Sequence, residues 1–262
     1  MLERLTALAI DAGLAIRAIA ATSFDQTAKN DGSPVTQADL AADRIIVEGL
    51  AKIAPQVPVV SEESADFSKA PGDLFFLVDP LDGTKEFVAG RAEYTVNIAL
   101  VSGGVPVLGI VGAPAMDLLW RGVTALPGAG WTARAERLAL SPDGAVQSVE
   151  AIHVRPRPDS TCIAAISRSH PDANTAAYIA ALGNAVPLEA GSALKFCWVA
   201  EGRADLYPRL AQTSEWDVAA GAALVVAAGG RVQDGEGGAL RFGHHEAQFR
   251  VPGFIAEGAP KA

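Results

Sequence analysis

Cysteine is scarce in this chain: two residues in 262, Cys162 and Cys197, with no Cys-x-x-Cys spacing. Both lie in apolar stretches, Thr161-Cys162-Ile163-Ala164 and Lys195-Phe196-Cys197-Trp198. That predicts buried free thiols and argues against a disulfide framework or a cysteine metal site. A basic excess is also missing. The 21 Lys and Arg against 30 Asp and Glu give a formal charge of −9. The electrostatic term toward a nucleic-acid backbone is therefore repulsive, and no nucleic-acid polymer is expected as a partner. No uncharged run is long enough to span a bilayer, because Glu3, Arg4, Asp11 and Arg17 interrupt the apolar N-terminal pattern. Neither a signal-peptide core nor an integral membrane segment is expected, which points to a cytoplasmic protein. Internal repeats and low-complexity tracts are absent as well.

What the chain does have suits a mixed α/β enzyme. Half of its residues are hydrophobic, and 26 Gly and 16 Pro supply the turns. Its length allows one large domain or two compact ones sharing an interface. Leu5, Leu8, Ala12, Ala15, Ile16 and Ile19 recur at helical spacing, predicting an amphipathic helix over 2–21. After a polar loop through Lys29-Asn30-Asp31-Gly32-Ser33-Pro34, Thr36 suits a helix N-cap. Asp39 stands in the capping-box position of that second helix, which should run to about Ile53 with Asp43 on the same face as Asp39. Strands are expected at 57–60, 74–79, 94–102, 105–113 and 117–123, with Ser102-Gly103-Gly104 as a tight hairpin. The Gly- and Pro-rich stretch 126–158 reads as loop and carries the expected boundary between an α+β unit, 1–157, and an α/β unit, 158–262. In the second unit, strands are expected at 162–167 and 204–207, and helices at 172–182, 192–201 and 216–229.

The most informative segment is Asp79-Pro80-Leu81-Asp82-Gly83-Thr84, directly after the apolar run Leu74-Phe75-Phe76-Leu77-Val78. Two carboxylates three residues apart would stand at the mouth of a buried strand. Pro80 stiffens the turn between them, and Gly83 opens backbone angles that other residues avoid. Such oxygen ligands favour Mg²⁺ or Mn²⁺ over Zn²⁺. The residue types alone also suit a solvated turn. A phospho-aspartate loop needs its aspartates two apart, so the spacing argues against that chemistry. Further acids stand at element ends: Asp39, Glu62 and Glu63 after Val57–Ser61, and Asp217 after Trp216.

Together these pieces resemble the lithium-sensitive, magnesium-dependent inositol monophosphatase-like phosphatases. Ser61-Glu62-Glu63-Ser64, Asp79-Pro80-Leu81-Asp82-Gly83-Thr84, Trp216-Asp217-Val218-Ala219-Ala220-Gly221 and Ala227-Ala228-Gly229-Gly230 occur in that family's order, across nearly the whole chain. The resemblance implies the layered αβαβα sandwich of the sugar-phosphatase type and two to three Mg²⁺ ions, with Mn²⁺ as a substitute. Glu62, Asp79 and the Leu81 carbonyl would hold the first ion. Asp79, Asp82 and Asp217 would hold the second, and Glu62 a weaker third. Thr84, oriented by Asp39, would polarise the attacking water, with Glu63 in support.

Ser167-Arg168-Ser169-His170, Gly191-Ser192-Ala193-Leu194-Lys195-Phe196-Cys197, Tyr207-Pro208-Arg209 and Thr84-Lys85-Glu86-Phe87 resemble the 3′(2′),5′-bisphosphate nucleotidase branch. By that resemblance the substrate is 3′-phosphoadenosine 5′-phosphate, a nucleotide bisphosphate of sulfur metabolism. Gly83, Thr84 and Asp217 would meet the reacting phosphate, and His170, Ser192, Lys195 and Arg209 the rest of the nucleotide. The alternative is an inositol-1-phosphate or other sugar-phosphate monophosphatase of the same fold. Those enzymes hold ring hydroxyls with an acid before the Trp-Asp motif, and Glu215 lies too near Trp216 to be a clear equivalent. A homodimer and peripheral attachment to the inner membrane are compatible with the resemblance.

Other readings of single residues are ordinary ones. Lys195 suits a solvated helix charge, His170 a helix cap, and Arg209 an ion pair with Glu201 or Asp205. His244-His245 suits a loop pair, and Trp120 and Trp131 suit packing.

Overall fold

The two N-terminal helices form where the apolar spacing places them: α1 over Leu2–Ala20 and α2 over Gln37–Ile53. A computed structural model describes residues 1–22, 26–28, 34–125 and 130–258. The polar loop at 29–33 and Gly128 lie outside the described residues. The capping box of α2 is present, with Thr36 as N-cap and Asp39 accepting from the Thr36 backbone N–H at 2.7 Å.

A seven-stranded sheet follows in simple sequential order: β1 (Val59–Ser61), β2 (Leu74–Asp82), β3 (Thr95–Ser102), β4 (Val105–Ala113), β5 (Leu118–Val123), β6 (Arg134–Leu140) and β7 (Val146–Ala151). Only the β1–β2 pair is parallel; the rest is an antiparallel meander. Gly103 and Gly104, both at positive φ, make the expected hairpin between β3 and β4. Both faces of the sheet are covered, which is why β2 reads as a continuous apolar run instead of an alternating one. Phe76, Val78, Ile98 and Ile110 pack with Leu5, Leu8, Ile46 and Leu50 of α1 and α2. Phe75, Leu77, Val101 and Val111 face the opposite way.

The second sheet has the order β9-β8-β10-β12-β11, from β8 (Cys162–Ser167), β9 (Ala185–Ala190), β10 (Leu206–Arg209), β11 (Arg231–Gln233) and β12 (Phe254–Glu257). Helix α4 (Ala173–Leu182) covers its outer face through Tyr178, Ile179 and Leu182. Helices α5 (Leu194–Ala200) and α6 (Glu215–Ala227) lie between the two sheets, in the core that includes Phe196, Leu224 and Val225. The layers are therefore helix, sheet, helix, sheet, helix, the αβαβα arrangement expected.

Helix α6 comes close enough to the seven-stranded sheet to require glycine there. A Cβ on Gly109 would lie 2.1 Å from the Ala220 carbonyl oxygen, and one on Gly122 would lie 3.1 Å from Leu224 Cα. The segment crossing from the first sheet to the second is clamped by Asp205, which is fully buried. Its carboxylate accepts from Arg155 Nε at 2.7 Å, Arg155 Nη2 at 3.0 Å and the Ile163 N–H at 2.6 Å.

Two expectations need correction, and some elements went unread. The stretch 126–158 is not all loop, since it contains β6 and β7. Its Gly144, at φ 88°, turns the hairpin that joins them. Asp143-Gly144 was the available hairpin signal; it was obscured because β7 is an edge strand exposed along nearly its whole length and so lacks apolar alternation. The strand expected at 204–207 is displaced to Leu206–Arg209. Short helix α3 (Thr84–Val88) and strands β9, β11 and β12 carry too little periodic signal to have been read.

Candidate active site

The end of β2 is shaped by its own sequence. Pro80 has no N–H to give the neighbouring strand, and the Leu81 N–H instead donates to Asp79 Oδ1 at 3.1 Å. The β2–β3 register shifts between Asp79 and Asp82 as a result. Gly83 takes φ 93° and turns the chain into α3. Asp79, the Leu81 carbonyl, Asp82 and Thr84 are thus gathered within one turn. Glu62 arrives from the end of β1, its N–H donating to the Val78 carbonyl at 3.1 Å. Asp217 arrives in the first turn of α6, accepting from the Thr213 hydroxyl and from the Ser214 N–H at 3.3 Å.

Glu62, Asp79 and Asp217 each present a carboxylate oxygen within 4.8 Å of the others. Asp82 stands outside that tight set, and Asn97 Nδ2 donates to it at 3.3 Å. Burial above all, then the charges of Glu62, Asp82 and Asp217, push the Asp79 carboxyl well above the usual range. Burial and then Asp217 push Asp82 up to about 7. Like charges at this spacing oppose one another until a cation is shared among them. The donors are all hard oxygen, and no thiolate or imidazole joins the cluster. They fit Mg²⁺ or Mn²⁺.

Thr84 is held from two sides. Its hydroxyl lies 3.0 Å from Asp39 Oδ1 and 3.2 Å from the Leu81 carbonyl oxygen, both acceptors. Asp39 is 1% exposed, and its other oxygen receives the Thr36 N–H and hydroxyl, each at 2.7 Å. One carboxylate therefore caps α2 and fixes the Thr84 hydroxyl.

Glu62, Asp79, Leu81, Asp82, Thr84 and Asp217 line a cavity of about 620 Å³. His170, Ser192, Lys195 and Arg209 line it too, and Asp39 reaches its wall through Thr84; Glu63, expected in support, is not among the lining residues. Several ordinary readings fail. Lys195 is not a solvated charge: it is 2% exposed, and its ammonium donates to the carbonyls of Ser192 at 2.6 Å and Ala190 at 3.2 Å. Burial pulls it down to about 8. Arg209 pairs with neither suggested acid. Asp205 is taken by Arg155, and Glu201 accepts from Trp120 Nε1 at 3.0 Å. The cap of α4 is Asp172, not His170.

The thiols are free and buried, and Trp120 packs in the core, as expected. His244 lies in a loop, where its backbone and ring reach the buried Glu215 carboxylate at 2.9 Å each. Glu215 is thereby turned to the 243–244 loop and away from the cavity. Sequence reasoning passed over Asn97 as a partner of Asp82, and over Phe67, Gln248 and Arg250 in the cavity lining. Asn97 had a signal, being a polar residue inside the apolar run Val96–Val101. Phe67 and Gln248 come from distant turns and Arg250 from a two-residue strand, and none of the three had one.

The inositol monophosphatase family profile matches residues 1–259, and the chain belongs to that family. Within it, the chain is similar to the 3′(2′),5′-bisphosphate nucleotidase CysQ of Salmonella typhimurium, 42% identical over 97% of this chain and 98% of the relative. CysQ of Escherichia coli K12 is 41% identical over the same shares. Among solved structures, CysQ of Bacteroides thetaiotaomicron superposes with a TM-score of 0.79 at 37% identity, covering 99% of this chain and 98% of that one. The inositol monophosphatase of Anabaena gives a TM-score of 0.71 at 27% identity, over 98% and 90%.

Proposed function

We propose that this chain is a Mg²⁺-dependent 3′(2′),5′-bisphosphate nucleotidase that hydrolyses the 3′-phosphate of 3′-phosphoadenosine 5′-phosphate, yielding AMP and phosphate. The observation that carries the reading is one cavity lined by both carboxylates and cationic side chains. Glu62, Asp79, Asp82 and Asp217 line it together with Arg209, Lys195 and His170. A substrate with two phosphates suits both the ion site and the cationic side chains. The near full-length likeness to proteins named as bisphosphate nucleotidases supports the same substrate class. The turned-away Glu215 removes the most obvious candidate for holding inositol hydroxyls.

In this reading Glu62, Asp79, the Leu81 carbonyl, Asp82 and Asp217 hold the ions. Bound there, Mg²⁺ supplies Lewis acidity to the phosphoryl group and offsets charge on the entering and leaving oxygens. The protein's own contribution is positional. Because the Thr84 proton is directed to Asp39 or the Leu81 carbonyl, the hydroxyl oxygen is left to accept from the attacking water. The positive end of α6 faces the same cavity through Ser214, Trp216 and Asp217, where a phosphate is favoured. Ser192, Lys195, Arg209 and His170 receive the rest of the nucleotide. No described helix is long and apolar enough to cross a membrane.

Phosphate release from adenosine 3′,5′-bisphosphate and inositol 1-phosphate, side by side with Mg²⁺ and with EDTA, tests the reading. A strong preference for the bisphosphate, abolished by EDTA, is expected. Preference for inositol 1-phosphate would replace the substrate while keeping the metal chemistry. Thr84→Ala should lower kcat by roughly 10²-fold or more, in the range of a lost acid–base group, and Thr84→Ser should restore most of it. Unchanged turnover in Thr84→Ala would remove that hydroxyl from the reaction.

A further inference from the structure

Four donors line the cavity beside the carboxylates, and they are not equally available. Lys195 is buried and committed to two backbone carbonyls. Arg209 Nε and Ser192 Oγ are shielded from solvent and have no hydrogen-bond partner. Ser192 also holds φ 48°, a left-handed conformation that costs a non-glycine residue energy. Lys85, the first residue after Thr84, is exposed and lines the cavity. Among the described residues it makes no salt bridge. Its ammonium lies 2.9 Å from His170 Nε2, reaching from α3 to the loop after β8. Burial first, then the charges of Lys85 and Arg209, hold the His170 imidazole below its usual value, so it accepts from Lys85 as the neutral ring. A neutral ring nitrogen is a weaker partner for an ammonium than a phosphate dianion is.

We propose that Lys85 selects for the second phosphate of the substrate. Its ammonium leaves the His170 ring and donates to the phosphate remote from the reacting one. This rests on the bisphosphate reading above. The two lysines differ in how they contribute: Lys195 keeps one N–H for the nucleotide beside its bonds to the Ala190 and Ser192 carbonyls, and Lys85 makes the contact that exchanges. A monophosphate seated at the carboxylates leaves the Lys85–His170 contact undisturbed.

The test compares kcat/KM on adenosine 3′,5′-bisphosphate and adenosine 3′-monophosphate for the wild-type enzyme, Lys85→Met and Lys85→Arg. The wild type should favour the bisphosphate. Lys85→Met should cut that preference roughly ten- to hundredfold, as expected for one charge-assisted hydrogen bond; Lys85→Arg should keep most of it. Titration with AMP and with adenosine in EDTA adds a readout independent of turnover. Lys85→Met should weaken AMP alone.

If the wild type favours the bisphosphate but Lys85→Met keeps the preference, the role of Lys85 is overturned and the nucleotidase reading stands. Equal weakening of AMP and adenosine would also overturn it, by pointing to a merely structural lysine. A wild type with no preference for the second phosphate would overturn both.

Discussion

Asp79→Asn should abolish Mg²⁺-dependent phosphate release and, in the same protein, raise the melting temperature measured in EDTA. The two effects have one cause. Asp79 is 1% exposed and shares its surroundings with Glu62, Asp82 and Asp217, so without a cation its charge is desolvated and repelled at once. Removing that charge relieves the metal-free fold. It also deprives the proposed ion site of one of its carboxylates, and we expect kcat to fall at least roughly 10²-fold, as when one strong electrostatic contribution is lost. Ligand linkage supplies a third readout. At about 100 times the dissociation constant, Mg²⁺ should stabilise the wild type by about 2.7 kcal/mol, or about 5–10 °C for a chain of this size. Asp79→Asn should lose most of that shift. A variant keeping both the Mg²⁺ shift and the turnover would remove Asp79 from the metal site.

Gly109→Ala should destabilise the fold and impair catalysis from a position outside the cavity lining. The added methyl would stand 2.1 Å from the Ala220 carbonyl oxygen, which is backbone and cannot rotate aside, so α6 must lift from the sheet. Overpacking of this kind costs roughly 1–3 kcal/mol or more, about 2–10 °C in Tm. Asp217 stands one turn from Ala220 on the same helix and would move with it. A displacement near 1 Å at a reacting centre costs roughly 10²-fold in rate. Gly112→Ala on the same strand is the control: its nearest neighbours lie 3.9 Å away, in ordinary contact. Equal effects of the two substitutions would show that any alanine in β4 is damaging and that the seat of α6 is not special.

The sequence made legible whatever depends on neighbours along the chain. The α2 capping box, the Gly103-Gly104 hairpin and the Asp79–Thr84 turn are each set by residues within a few positions, and each is present. Buried strands announced themselves as apolar runs because both faces of the large sheet are covered. Contacts between distant segments could not be read the same way. Asp39 meets Thr84 across 45 positions, and Lys85 meets His170 across 85. Family resemblance foresaw the first; nothing foresaw the second. Glu215 shows the limit most plainly. Its place beside Trp216 suggested nothing about a carboxylate facing the 243–244 loop, because that orientation is decided by a segment about 28 residues later.

The position of α6 also has a consequence for how the enzyme is made. This helix is synthesised after residue 214, yet its seat is the sheet laid down between residues 59 and 151. A ribosome that has produced β1–β7 has exposed an apolar trough around Gly109 and Gly122 with no helix to fill it. Glu62, Asp79 and Asp82 would then already be placed without Asp217. Divalent-cation chemistry should therefore appear late and abruptly during translation, once the last quarter of the chain emerges. Until then the unfinished sheet is the species a chaperone would have most reason to shield.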